Sequence, residues 1–342
     1  MNTPTAGPPA ASKGDMKYLA AKYLAAKYLA SKFLAALLIA MLALAGAAGP
    51  LRAQRAVQPI GLSDLPHIAI FSPVFYWTDT GDVVGTASAT CPEGRAIAGG
   101  VSIQKGNASL RIQESYPDRA SWVVRVVNRG NPGSGRPLQV RGFAVCLLPV
   151  ARSSSVPIAQ YPRLLHLSNA IKLPPKDVRT AGRQACAKNM LVVSGGFGLD
   201  PKFNKPSFVR MELSYPDQWA WNVRAVNAAG AAQPGADARV HTLCLGTSEG
   251  LSIRDYRTIY FVDANVSVKA GDGVVRRSVG CREASARALA GGARLIRGKG
   301  ASIEMQESFP DSPGSWTIAL TNRAPANAGN ATVKLYAVCI KP

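Results

Sequence analysis

Apolar and polar residues alternate with a period of two along most of the chain beyond position 80, and that period predicts strands. One face of the segment from Trp122 carries Trp122, Val124, Val126 and Asn128. The same set recurs as Trp221, Val223, Ala225 and Asn227, and again as Trp316, Ile318, Leu320 and Asn322. Extended stretches also precede Cys91, Cys186 and Cys281, at Val83–Thr90, Val178–Ala185 and Val274–Gly280. A Gly pair inside an apolar run predicts a bulge or a close backbone approach, and a Pro-Asp pair predicts a turn. Segments 129–137, 151–163 and 246–257 are polar or rich in Pro, Gly and Ser, and read as loops or linkers.

These elements come in three copies. Cys91, Cys186 and Cys281 are 95 residues apart, and Cys146, Cys244 and Cys339 close the copies. Each copy carries a Gly pair: Gly99-Gly100, Gly195-Gly196, Gly291-Gly292. Each then carries Ser-[Tyr/Phe]-Pro-Asp, beginning at Ser115, Ser214 and Ser308, followed by the Trp and, six residues on, the Asn. Six cysteines allow fifteen pairings, and the repeat favours Cys91–Cys146, Cys186–Cys244 and Cys281–Cys339. The expected fold is all-β: three tandem disulfide-linked, sandwich-like modules at 69–149, 164–246 and 258–342, with five or six strands each. They stand as separate units or join in one pseudo-threefold arrangement.

Residues 1–53 read as a signal peptide with an extended n-region. Lysines precede an uncharged run from Phe33 to Gly49, too short for a membrane span, and small residues follow. The repeat KYLAA KYLAA KYLAS KFLAA from Lys17 puts no two successive lysines on one helical face, and Met16 is an alternative start. No cysteine before position 91 offers a lipid attachment point. The mature protein is expected to be periplasmic or extracellular, and six cysteines suit that compartment. The chain carries a net charge of +20; residues 54–342 hold 34 basic and 19 acidic residues, or +15. That charge draws anionic partners: acidic polysaccharide, anionic lipid or nucleic acid. Compositional bias toward Arg in an Ala/Gly/Pro-rich chain accounts for it equally well.

The run Cys91-Pro92-Glu93-Gly94-Arg95-Ala96-Ile97-Ala98-Gly99-Gly100, with the later S-Y-P-D, W-x-V, N and A-V-C, resembles a Cys-framed repeat module of uncharacterised secreted bacterial proteins. The resemblance covers most of residues 69–342, though modules two and three lack the opening C-P-x-G. It implies no activity. The chain is also faintly similar to vitelline membrane outer layer proteins, whose three β repeats form a three-sided prism; that resemblance implies architecture alone.

Catalytic chemistry finds little support. The three histidines, His67, His166 and His241, fall at unrelated repeat positions, and G-x-S-x-G is absent. Glu114 with Asp118 and Glu307 with Asp311 are paired carboxylates, but module two has Leu213 in place of the Glu. Residues 292–299 miss the phosphate-loop pattern by one residue and a missing Ser or Thr. No C-x-x-C supports a metal, and no cofactor is expected. The repeated tryptophans read as core; Trp219 and Phe75-Tyr76-Trp77 are the candidate exposed aromatics.

One pattern points to binding. Three residues before each closing cysteine stands a ring: Phe143, His241, Tyr336. Two residues earlier stands a base: Arg141, Arg239, Lys334. A strand puts both on the face opposite the cysteine. The tryptophan strand adds Arg125 and Arg224 on its outward face, where module three has Ala319. Cations interleaved with rings suit an anionic glycan or surface polymer, with nucleic acid less favoured; an ordinary solvated face is the alternative. The expected function is therefore a non-enzymatic secreted or envelope binding protein. A self-associating matrix protein comes second and a secreted hydrolase third. The oligomeric state stays open.

Overall fold

The computed structural model describes residues 60–61, 68–72, 74–77, 84–105, 110–128, 138–147, 163–188, 190–200, 208–231, 235–246, 259–271, 273–298 and 300–341. The expected signal segment, His67 and the linkers 129–137 and 151–162 lie outside them. Module one supplies β1 (Ile60–Gly61), β2 (Ile68–Phe71), β3 (Val74–Trp77), β4 (Val84–Thr90), β5 (Arg95–Lys105), β6 (Leu110–Asp118), β7 (Ser121–Asn128) and β8 (Leu138–Leu147). Module two supplies β9 (Arg163–Leu173), β10 (Val178–Ala185), β11 (Leu191–Leu199), β12 (Val209–Asp217), β13 (Ala220–Asn227) and β14 (Ala236–Gly246). Module three supplies β15 (Ile259–Val268), β16 (Val275–Gly280), β17 (Arg287–Arg297), β18 (Ile303–Ser312), β19 (Ser315–Asn322) and β20 (Ala331–Ile340).

The fold is all-β, and the modules join. Sheet I runs β4-β7-β6-β11-β14-β9, and sheet II runs β10-β13-β12-β17-β20-β15. Sheet III runs β16-β19-β18-β5-β8-β2, with β1 on its edge and β3 also paired to β8. Each sheet is half one module and half another, so modules one, two and three close a ring. Within a module the two half-sheets pack face to face. The bridges Cys91–Cys146, Cys186–Cys244 and Cys281–Cys339 clamp them, closing separations of 55, 58 and 58 residues. A loop of that length is worth about 4 kcal/mol in the chain-entropy account.

The shared motif residues build the three seams. Each seam is one residue pair wide: Phe197 on Ser115, Ala293 on Ser214, Val101 on Ser308. A Cβ on Gly196, Gly292 or Gly100 would overlap the carbonyl of that same serine. A Cβ on Gly195, Gly291 or Gly99 would overlap the tryptophan of its own module. The Gly pair is thus a close approach on both sides, and a bulge precedes it at Ile97, Val193 and Leu289. The seam serines also accept the indole N–H: Trp122 to Ser115 at 2.9 Å, Trp221 to Ser214 at 2.7 Å, Trp316 to Ser308 at 2.8 Å. These groups, with Ile112, Met211 and Met305, line a central cavity of about 20 Å3, room for a single water.

The repeated asparagine ties strand ends, as a side chain competing for backbone groups does. Asn227 donates to the Leu173 carbonyl at 3.2 Å and accepts from the Ala229 amide at 3.1 Å. Asn322 donates to Val268 and accepts from Ser302 and Ala324. The Pro-Asp pair sits one step earlier than a turn: Pro117 and Pro216 still pair with Trp122 and Trp221, and the reversal falls on the next two residues.

Candidate functional site

The predicted ring-and-base rows lie on β8, β14 and β20, and so on three different sheets. The closing cysteines Cys146, Cys244 and Cys339 are fully buried, and the rows alternate with them on the other face of each strand. The rings do not stand alone. Each stacks on the ring of the Ser-[Tyr/Phe]-Pro-Asp motif from the neighbouring module, across a seam. Phe143 meets Phe309 at 5.3 Å between centroids, His241 meets Tyr116 at 5.0 Å, and Tyr336 meets Tyr215 at 6.0 Å.

The three seams differ in what they leave open. On sheet III, Phe143 and Phe309 are both buried, which removes their faces from any ligand. Arg276 covers Phe309 at 5.9 Å, and Arg141 stands half-buried beside them. On sheet I, His241 is buried and Nδ1 lies 3.0 Å from His166 Nε2, while Arg239 reaches solvent. On sheet II, Tyr215 and Tyr336 both stay half-exposed. Arg294 lies 5.6 Å from the Tyr215 centroid, and Lys334 pairs with Asp263 at 2.5 Å.

The outward arginines of the tryptophan strand hold buried carboxylates. Arg125 pairs with Glu114 at 2.5 Å, and Arg224 with Glu212 at 2.7 Å; Arg179 reaches Glu212 as well. Glu114 also accepts the Leu199 amide across its seam, and Glu307 accepts the Ile103 amide and the Arg276 guanidinium. Burial pushes the Glu114 carboxyl up, against the pull of Arg125 and the Leu199 amide. Burial also pushes the Arg224 guanidinium down, against Glu212. Glu114 and Glu307 thereby tie strands across their seams, while Glu212 is held within module two.

A fourth charged group sits nearer the axis. Arg111, Arg210 and Glu304 occupy equivalent positions, four residues before the seam serine of their modules. They converge: Arg111 lies 3.0 Å and Arg210 3.3 Å from Glu304, and Arg323 adds a third contact at 3.4 Å. The sequence pattern gives Tyr215 only as part of the tripled motif and Arg294 only within the phosphate-loop near miss, and it assigns this cluster no role. Arg294 had one available signal, since modules one and two carry Ser102 and Gly198 at its position. Trp219 is exposed in a turn, and the side chains of Phe75, Tyr76 and Trp77 lie outside the described residues.

The histidine pair makes the sheet I seam acid-sensitive. Burial pushes His241 down to about 3, with His166 and Arg239 adding to it. Burial and Arg95 lower His166 as well, against Asp118. A histidine depressed in the folded state stabilises it above its unfolded pKa, about 6.5, and that contribution is lost as pH falls from there toward 3. By pH 5 the loss from His241 amounts to ~2 kcal/mol. His241→Phe, which copies the Phe143 position, is expected to flatten that limb in urea unfolding followed from pH 7 to pH 5. Equal slopes for both proteins would show that His241 does not set it.

No family model matches the chain, and no curated protein matches its sequence. Among the described residues, no helix is long and apolar enough to cross a membrane, and no group of three or more His, Cys, Asp or Glu could hold a metal.

Proposed function

We propose that this is an exported, non-enzymatic binding protein of the cell envelope or exterior that engages an anionic glycan or surface polymer through the outer faces of its sheets. One observation carries the reading: on sheet II the partly exposed rings Tyr215 and Tyr336 stand beside Arg294 and Lys334, while the interior cavity has room for a single water. Three bridges support an oxidising compartment. The chain resembles a secreted bacterial Cys-framed module in its Cys–Gly pair–Trp frame and, faintly, the prism-forming repeats. Neither carries a function with it.

The test is retention on immobilised polygalacturonate. The protein is expected to bind at low ionic strength and to elute with salt, as a charge-led contact does. Passage through the column at low salt would overturn the reading. So would equal retention on a neutral polysaccharide.

A further inference from the structure

Copies of a module that share a scaffold differ where function has been added. The seams give a controlled comparison, because the same backbone positions recur three times. One of the three ring stacks is closed, Phe143 and Phe309 by burial; in a second, His241 is buried and held by His166 while Tyr116 stays partly exposed. Only in the stack of Tyr215 and Tyr336 are both rings partly exposed, and it carries two phenol groups. Beside it, Arg294 on β17 lies directly opposite Lys334 on β20 in the strand register. Like charges directly opposed on a sheet destabilise it, and modules one and two avoid the arrangement with Ser102 opposite Arg141 and Gly198 opposite Arg239. Asp263 neutralises Lys334 alone. Arg294 is exposed and held over the Tyr215 face. An anion placed between Arg294 and Lys334 would relieve that repulsion.

We infer that the protein has one ligand site, not three, at the seam between modules two and three on sheet II, and that it takes a carboxylated saccharide. Arg294 offers its planar fork to the carboxylate, Lys334 adds the second charge, and the Tyr215 and Tyr336 rings and hydroxyls carry the sugar. This rests on the anionic-glycan reading above and names its site and ligand class. This partly exposed ring pair, with its two hydroxyls, suits contact with a saccharide ring. A polynucleotide would instead be tracked by a continuous basic groove, and here Arg183 and Arg224 on the same sheet are already paired with Asp217 and Glu212.

Calorimetry with a short oligogalacturonate tests this, with its methyl ester as the neutral control and a single-stranded oligonucleotide as competitor. The full protein is expected to bind one oligogalacturonate per chain. Arg294→Ala and Tyr336→Ala should each weaken it roughly tenfold or more, as losing a charge-assisted bond or a ring contact does. Arg141→Ala and Arg239→Ala should leave affinity unchanged. Circular dichroism of each variant separates lost binding from lost fold, and Tyr336→Phe retains the ring if the alanine variant fails to fold. A stoichiometry of three, or full affinity in Arg294→Ala, overturns the single site while leaving the glycan reading intact. Equal binding of the methyl ester overturns the carboxylate, and tighter binding of the oligonucleotide overturns the saccharide. No binding to either polymer or oligomer by the unmodified protein overturns both readings.

Discussion

Glu304→Ala is expected to cost about 3 kcal/mol of folding stability, the lower end of the range for removing one partner of a buried ion pair. Glu304 is 2% exposed and meets Arg111 from module one, Arg210 from module two and Arg323 from its own module. Without it, three guanidinium groups lose the carboxylate on which they converge, and Asp177, 3.3 Å from Arg210, offsets part of that charge. The low end applies because the arginines reach solvent in part. The same reason predicts that salt shrinks the deficit. Urea unfolding at low and high ionic strength measures both effects. A deficit below about 0.5 kcal/mol, the size of an ordinary surface change, would show that the cluster does not hold the modules together. Glu304→Arg should be worse than Glu304→Ala, since it makes the three equivalent positions identical.

That comparison bears on why the copies differ at all. A strict threefold ring would bring three arginines or three glutamates together at this position, and either is self-repelling. One Glu among two Arg resolves it, at the cost of perfect symmetry. The same asymmetry recurs at the seams, where a phenyl pair, a His–Tyr pair and a Tyr–Tyr pair occupy equivalent places. Both rings stay partly exposed in the Tyr–Tyr pair alone, and only there do two cations face each other, which is the ground for a single site.

The repeated residues were legible in sequence because each obeys a local rule. Period two placed Trp122, Trp221 and Trp316 on inward faces, and the constant spacing of the cysteines paired them. The partition of each module between two sheets was not legible. Alternation reports which face of a strand is buried, not which strand lies beside it. For that reason spacing relates Phe143, His241 and Tyr336 to the cysteines of their own strands, while their stacking partners, Phe309, Tyr116 and Tyr215, come from other modules and lie beyond any spacing argument. Arg125 and Arg224 read as outward cations for the same reason; their carboxylates appear only once the strands pair. The tripled Gly pair was read as a bulge or a close approach, and the seam shows why the second glycine is needed.

Gly196→Ala is expected to cost more than about 3 kcal/mol, beyond the usual range for overpacking. The new methyl would meet the Ser115 carbonyl, which is backbone and cannot rotate away as a side chain does. Relief requires the halves of sheet I to part at their one paired position, Phe197 on Ser115, and that opening would also strain the Trp122 indole bond to the Ser115 hydroxyl. Gly230→Ala is the matched control: a Cβ there meets nothing within 4 Å, and the change should be neutral or stabilise by about 0.4–1 kcal/mol. In a chain this long the seam variant should lower Tm by at least about 6 °C. Tm within a degree or two of the unmodified protein would mean that the seam yields to a methyl, and that other contacts between modules, such as the Glu304 ion pairs, hold the ring closed. A large loss shared by Gly100→Ala and Gly292→Ala would place the closure at all three seams, which is where the copies have kept their sequence the same.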